Sequence, residues 1–286
     1  MKIHPLNTGN FKLDGGAMFG VVPKSIWQRT NPADSNNMCS WSMRSMLIED
    51  GDRLILVDTG MGDKQSEKFF SYYFLFGDDS LDGNLKNLGF SRDDITDVFL
   101  THLHFDHCGG AIERSKSGHY EPAFKNAKFW SNERHWKWAT EPNGREKASF
   151  LSENILPIQE SGQLNFIKDI KEEDGIYKTP LGFDAVIVSG HTDAQMCPII
   201  KYKDKTIVFM ADLLPSVGHI PLPYVMGYDT RPLVTLKEKG DFLQLAAEKD
   251  FYLFLQHDHA NEICTVKQTD RGVRLNQTHT FNDIFN

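Results

Sequence analysis

Thr101-His102-Leu103-His104-Phe105-Asp106-His107-Cys108-Gly109-Gly110 places three histidines and an aspartate within six consecutive residues. Packing alone does not require such a cluster, whereas imidazole nitrogens and carboxylate oxygens are common ligands of divalent metal ions. The apolar run Asp97-Val98-Phe99-Leu100 is typical of a strand, and Ala111-Ile112-Glu113 could open a helix. The sequence therefore predicts a metal-binding loop between a strand and a helix. Four candidate ligands exceed what one tetrahedral ion takes from one segment, so either two ions are bound or some of the four only orient ligands.

A β-hairpin is predicted upstream of this loop. Residues 46–58 contain two apolar segments joined by the tight turn Asp50-Gly51. The second segment ends at Asp58, whose carboxylate is expected to orient a ligand histidine by a hydrogen bond rather than to react.

Residues 67–77 and 127–138 leave alternatives open. The first segment predicts a helix buried on most sides, with an aromatic lid or a subunit interface as the alternative. A helix is also predicted over residues 84–88. In the second segment, residues 127–130 predict a strand and Ser131 a helix cap, followed by a helix that carries His135. For His135, both packing and a role in a pocket remain open.

Three later apolar runs predict buried strands, and each run leads to a polar residue. Residues 185–188 precede His191, residues 206–210 precede Asp212, and residues 252–255 precede His257. We expect the ends of these three strands to converge. His257 is preferred over His259 as a ligand because it directly follows the apolar segment.

A dinuclear hydrolytic site accounts for these residues. Two divalent ions about 3.5–4 Å apart lower the pKa of a shared water and stabilise charge on the reacting oxygens. The predicted assignment is His102, His104 and His191 for one ion, Asp106, His107 and His257 for the other, and Asp212 as the bridge. Zn²⁺ is the expected ion because the ligands are rich in imidazole, although iron, manganese or cobalt also suits such a set.

The motif His102-X-His104-X-Asp106-His107, with the three later ligands, resembles the metallo-beta-lactamase superfamily from about Leu47 to His257. Residues 15–23 and the stretch from Ala211 through Pro215 to Asp229 are similar to its quorum-quenching N-acyl-homoserine lactonase branch. The resemblance implies an α/β fold, namely a four-layer αβ/βα sandwich with the site at one edge. It also implies two divalent metal ions held by the seven ligands assigned above.

The resemblance further implies hydrolysis of a lactone or ester. The mechanistic hypothesis is that hydroxide held between the metals attacks the carbonyl carbon, with Asp106 accepting or relaying a proton. Some lactonases carry a tyrosine three residues after the bridging aspartate, where this chain has Pro215. His219, Tyr224 and Tyr228 are therefore candidate catalytic residues that would assist the substrate.

Other activities of similar proteins remain as alternatives. They are a thioesterase like glyoxalase II, a phosphotriesterase with the same metals, and a mononuclear iron persulfide dioxygenase. His104 stands where flavo-diiron reductases carry glutamate, and Asp212 stands where zinc beta-lactamases carry cysteine. Flavo-diiron reductase activity and beta-lactamase activity are therefore disfavoured.

Composition narrows the class of protein and its partners. The chain has 286 residues, 40% of them hydrophobic, and a net charge of −8, which together favour a globular protein and disfavour nucleic acid as a partner. A single domain over residues 1–286 is expected, in the cytoplasm and without a membrane partner. The four scattered cysteines are predicted to be buried free thiols. The expected partners are a small-molecule lactone or ester and a second copy of the chain, with residues 1–40 and 69–76 as candidate dimer contacts.

Overall fold

The computed structural model describes residues 1–168 and 176–285. These residues divide into two compact units. One unit contains residues 1–10 and 43–168, and the other contains residues 11–42 and 176–285. The expectation of a single domain over residues 1–286 stays a prediction.

The strands and helices of the described residues have the following bounds. The strands are β1 (Lys2–Asp14), β2 (Met38–Asp50), β3 (Arg53–Val57), β4 (Asp97–Phe99), β5 (Ile112–Arg114), β6 (Tyr120–Pro122), β7 (Lys128–Ser131), β8 (Leu164–Phe166), β9 (Ile176–Lys178), β10 (Asp184–Val188), β11 (Gln195–Tyr202), β12 (Lys205–Phe209), β13 (Tyr252–Phe254), β14 (Ile263–Thr269) and β15 (Gly272–His279). The α-helices are α1 (Gly15–Phe19), α2 (Lys24–Trp27), α3 (Glu67–Ser71), α4 (Leu81–Asn87), α5 (Phe105–Cys108), α6 (Glu133–Thr140), α7 (Ser152–Glu160), α8 (Pro232–Glu248) and α9 (Phe281–Phe285). Short 3₁₀ helices cover Arg92–Asp94, Gly109–Ala111, Ala211–Leu213 and Val217–His219.

The first unit is built on a sheet with the strand order β1-β2-β3-β4-β7-β8. The predicted hairpin is confirmed, because β2 and β3 pair antiparallel with Asp50 opposite Arg53. Gly51 in the turn has a φ of +61°, a left-handed conformation that glycine adopts without steric cost. Strands β3, β4 and β7 run parallel, with Val57 opposite Phe99. This register brings Asp58 and the loop after β4 to the same edge of the sheet.

The second unit is built on a sheet with the order β15-β14-β13-β12-β11-β10-β9. β11 is antiparallel to both β10 and β12, and β12 is parallel to β13. Strands β10, β12 and β13 therefore run in the same direction, and their carboxyl ends lie at one edge. Helix α8 begins with Pro232 and buries Phe242, Leu243 and Ala246 in the core of this unit.

Two local predictions around the motif are corrected by the structure. The predicted helix after the glycines is wrong, because α5 lies within the motif and Ile112 begins β5. A Cβ on Gly109 would lie 2.1 Å from the carbonyl oxygen of Met61, and one on Gly110 would lie 2.3 Å from that of Thr59. The two glycines therefore allow a close approach of backbones. The predicted cap Ser131 is also wrong by one residue, since Asn132 accepts the N–H of His135 at 2.8 Å and caps α6.

The aromatic segment at residues 69–76 is not a buried helix. Helix α3 covers only Glu67–Ser71 and contains no buried residue. Tyr72 is 59% exposed and Phe74 is 50% exposed. The predicted buried helix is therefore wrong, while the lid or dimer contact stays a prediction. The helix expected at residues 84–88 is confirmed as α4, and no helix among the described residues is long and apolar enough to cross a membrane.

Candidate functional site

The motif loop of the first unit follows β4 directly. Thr101, His102 and His107 are completely buried. His104 keeps extended backbone angles as the N-cap of the short helix α5, so Asp106 and His107 lie on the helix after it. The chain therefore changes from strand to helix in the middle of the motif, which separates the first two candidate ligands from the last two.

Asp58 anchors this loop from behind. Its carboxylate accepts hydrogen bonds from the N–H and the hydroxyl of Thr101, each at 2.8 Å, and from Nδ1 of His107 at 3.0 Å. Asp58 has a φ of +57°, in the left-handed region that aspartate and asparagine adopt more readily than most residues. Because Nδ1 of His107 donates to Asp58, Nε2 is the nitrogen whose lone pair can bind a metal ion. The predicted contact of Asp58 with a candidate ligand histidine is confirmed.

His102 and His104 present ring nitrogens to each other. Nε2 of His102 lies 3.1 Å from Nδ1 of His104, and Nδ1 of His102 lies 3.1 Å from the hydroxyl oxygen of Thr101. On the far side of its ring, His104 Nε2 lies 3.5 Å from the buried carboxylate of Glu146. Two converging imidazole nitrogens with supported outer sides are the donor geometry that a divalent cation such as Zn²⁺ accepts.

His135 supports this pair through the backbone. Its Nε2 accepts the N–H of Leu103 at 2.9 Å, and the ring is completely buried. The structure therefore favours the packing alternative for His135.

In the second unit, one carboxylate lies between two histidines. Asp212 Oδ2 is 3.0 Å from Nε2 of His191, and Asp212 Oδ1 is 3.0 Å from Nε2 of His257. The predicted convergence of the three strand ends is therefore confirmed. His259 is exposed, which agrees with the preference for His257.

The outer nitrogens of both histidines are held. Nδ1 of His191 donates to Asp229 at 2.9 Å, and Nδ1 of His257 donates to the carbonyl oxygen of Ser42 at 2.8 Å. Metal-bound histidines typically make this kind of bond with the nitrogen that does not bind the metal, which fixes the tautomer and the orientation of the ring.

His191 has a strongly shifted pKa. Burial alone would lower it, but the carboxylates of Asp212 and Asp229 outweigh burial and raise the pKa to about 10. The negative charge of this site thus attracts a cation to Nε2 of His191. A metal ion that binds there has to displace a proton.

The residues present fit divalent metal ions. Each of the histidines 102, 107, 191 and 257 has one ring nitrogen engaged by the protein and the other directed at a further candidate ligand. The seven predicted ligands all belong to histidine and aspartate groups that could hold a metal ion. The four cysteines are buried free thiols, as predicted, and burial raises the pKa of Cys108 far above its usual value.

The candidate catalytic residues on the loop after Asp212 differ in exposure. His219 is buried and stacks on Phe19 with ring centroids 4.3 Å apart. Its ring nitrogens contact the hydroxyl of Ser216 at 2.8 Å and the carbonyl oxygen of Met18 at 2.9 Å. Tyr224 is half-buried, and Tyr228 is 41% exposed. These contacts favour a structural role for His219, while catalytic roles for all three stay predictions.

Sequence reasoning missed Asp229 and Glu146 as partners of candidate ligands. Both lie in loops with no fixed spacing from the histidines they contact. The usable signal was indirect, because a ligand histidine needs an acceptor for its second nitrogen. Carboxylates without an assigned role were therefore candidates for such acceptors.

Comparison with known proteins gives consistent matches. A family model described as the metallo-beta-lactamase superfamily matches residues 44–257. An N-acyl homoserine lactonase of Bacillus cereus is 25% identical over 196 residues, covering 65% of this chain and 68% of that protein. A second one, from Bacillus thuringiensis, is 26% identical over the same shares.

Among solved structures, a probable metal-dependent hydrolase from Staphylococcus aureus is 27% identical. It has a TM-score of 0.84 and covers 98% of both chains. AidC, a dizinc quorum-quenching lactonase solved with a product, is 20% identical, with a TM-score of 0.78 over 98% of this chain and 95% of that one.

Proposed function

The chain belongs to the metallo-beta-lactamase superfamily, and on that premise we propose that it opens a lactone ring or cleaves an ester with two divalent metal ions. It is a hydrolase of this superfamily with lactonase relatives. Its predicted α/β fold of the metallo-beta-lactamase type is confirmed by the structural neighbours. The observation that carries the proposal is the carboxylate of Asp212, which offers one oxygen to each of two anchored histidines.

The proposal assigns the ligands as the sequence predicted. His102, His104 and His191 would hold one ion, Asp106, His107 and His257 would hold the other, and Asp212 would be shared between them. Zn²⁺ is the proposed ion, because imidazole nitrogens predominate and the named relative AidC is a dizinc enzyme.

The bound ions would supply an activated water and a Lewis acid for the substrate carbonyl. The protein's own contribution is to fix the ligands. Asp58 and Asp229 each hold the Nδ1 proton of a ligand histidine, which leaves Nε2 as the nitrogen that would bind the metal ion. Asp106 is the candidate for holding or passing a proton, since its side chain is 14% exposed while the histidine beside it is completely buried.

An N-acyl-homoserine lactone is the proposed substrate. Support comes from the named lactonases, which are about a quarter identical to this chain over 196 aligned residues. Hydrolysis of a neutral lactone releases a carboxylic acid, so ring opening liberates a proton that a pH indicator reports.

The test is turnover by purified protein loaded with Zn²⁺. We expect ring opening of an N-acyl-homoserine lactone, loss of activity with a chelator and recovery when Zn²⁺ is restored. Rapid cleavage of a glutathione thioester or a phosphotriester without lactone opening would contradict the proposed substrate. Oxygen consumption by protein that holds one iron per chain would contradict hydrolysis altogether.

A further inference from the structure

We propose that Glu238 on α8 is a positioning residue for His191, acting through the backbone that carries this histidine. The inference rests on the proposed metal-dependent function, because it concerns how a metal ligand is held. The carboxylate of Glu238 accepts hydrogen bonds from the two residues immediately before His191.

The carboxylate of Glu238 binds the turn between β10 and His191. The N–H of Ser189 donates to Oε1 at 2.8 Å and to Oε2 at 3.0 Å, and the N–H of Gly190 donates to Oε2 at 2.9 Å. Since β10 ends at Val188, these are the first amides beyond the strand. Hydrogen bonds from amides to an ionised carboxylate are about twice as strong as those between neutral groups.

Residues before Glu238 bind the backbone carbonyl oxygens of the same turn. The side chain of Arg231 donates to the carbonyl oxygen of Ser189 at 2.7 Å. The backbone N–H of Arg231 donates to the carbonyl oxygen of Gly190 at 2.9 Å. The N–H of Thr230 donates to the carbonyl oxygen of His191 at 3.1 Å. One continuous stretch, residues 229–238, therefore fixes both the ring and the backbone of His191.

Steric contact sets the distance between the turn and α8. A Cβ on Gly190 would lie 2.2 Å from the hydroxyl oxygen and 2.4 Å from the Cα of Thr235. Glycine thus lets the turn rest directly on the first turn of α8, within reach of Glu238. Without the carboxylate, the turn can rotate about this contact and move Nε2 of His191 away from the metal position.

The test compares Glu238→Gln with Glu248→Gln, which makes the same chemical change at an exposed position of α8. We would measure Zn²⁺ affinity by competition with a chromogenic chelator, the visible absorption of the Co²⁺-loaded protein, and denaturant unfolding of the metal-free protein. Glu238→Gln should weaken metal binding about tenfold or more and change the Co²⁺ bands. Glu248→Gln should match the wild type.

Glu238→Asp keeps the charge with a shorter reach, so its affinity should fall between those of the wild type and Glu238→Gln. If Glu238→Gln lowers stability but leaves the metal affinity and the Co²⁺ bands unchanged, the residue is merely structural and the inference is wrong. Wild-type protein that binds two ions but opens no lactone would refute the substrate alone, because the affinity comparison still holds. Wild-type protein that binds no metal would overturn both proposals.

Discussion

Replacing Asp58 with asparagine should weaken metal binding while leaving the backbone of the motif loop in place. Asparagine has nearly the same shape as aspartate and also tolerates the left-handed conformation that Asp58 adopts, with its φ of +57°. The substitution therefore changes hydrogen bonding and charge rather than backbone strain.

The expected magnitude follows from the three hydrogen bonds that Asp58 accepts. An amide oxygen can still accept the N–H of Thr101, but the amide NH₂ cannot accept from Nδ1 of His107, which now lies 3.0 Å from the carboxylate. If Nδ1 becomes the acceptor, the proton moves to Nε2 and blocks metal binding there. We expect a loss of about 10- to 100-fold in metal affinity, or about 1.4–2.8 kcal/mol.

Competition with a chromogenic chelator would measure the affinity of Asp58→Asn for Zn²⁺ at pH 7. Asp52→Asn, in the exposed turn of the β2–β3 hairpin, is the matched control and should bind like the wild type. Denaturant unfolding of the metal-free variants would show whether the fold survives. Wild-type affinity in a folded Asp58→Asn protein would refute the role of Asp58 as an orienting group.

Three further predictions concern the second unit. Asp212→Ala should abolish most of the bound metal and the hydrolytic rate together, and a variant that kept both would rule out the bridging role. Gly190→Ala should lower the free energy of unfolding in denaturant by about 1–3 kcal/mol, because the new methyl group would meet Thr235 at 2.2 Å; unchanged stability would contradict that close contact. Burial lowers the pKa of His219 to about 3, below its ordinary 6.5. As the pH falls, His219 is therefore protonated in the unfolded chain at a higher pH than in the folded protein. Stability should be full above pH 6.5 and drop toward pH 3 by up to about 4 kcal/mol, and the loss should be smaller in His219→Gln when unfolding is followed across that range.

The ligand-bearing strand ends could be predicted because their signals are local. Apolar runs of four or five residues followed by His191, Asp212 or His257 identify both the strand and the polar residue beyond it. In the structure, β10 and β12 are both antiparallel to β11, and β13 is parallel to β12, so the three ligand-bearing strands run in the same direction. Local pattern and chemistry together therefore predicted that His191 and His257 meet at Asp212.

Predictions failed where the outcome depends on what packs against a segment. The aromatic residues 69–76 predicted burial from composition alone, yet Tyr72 and Phe74 are half exposed or more. Asp229 and Glu238 reach the His191 turn from a separate loop and helix. No period or motif links them to His191 in the sequence, so only the fold shows their roles.

The most direct test of the central claim is the number of metal ions per chain. Protein loaded with Zn²⁺, freed of excess metal and analysed by mass spectrometry should hold two ions per chain. Lactone hydrolysis should rise with occupancy and reach its maximum only when both are bound. Full hydrolytic activity in protein that holds one ion or none would contradict the dinuclear account.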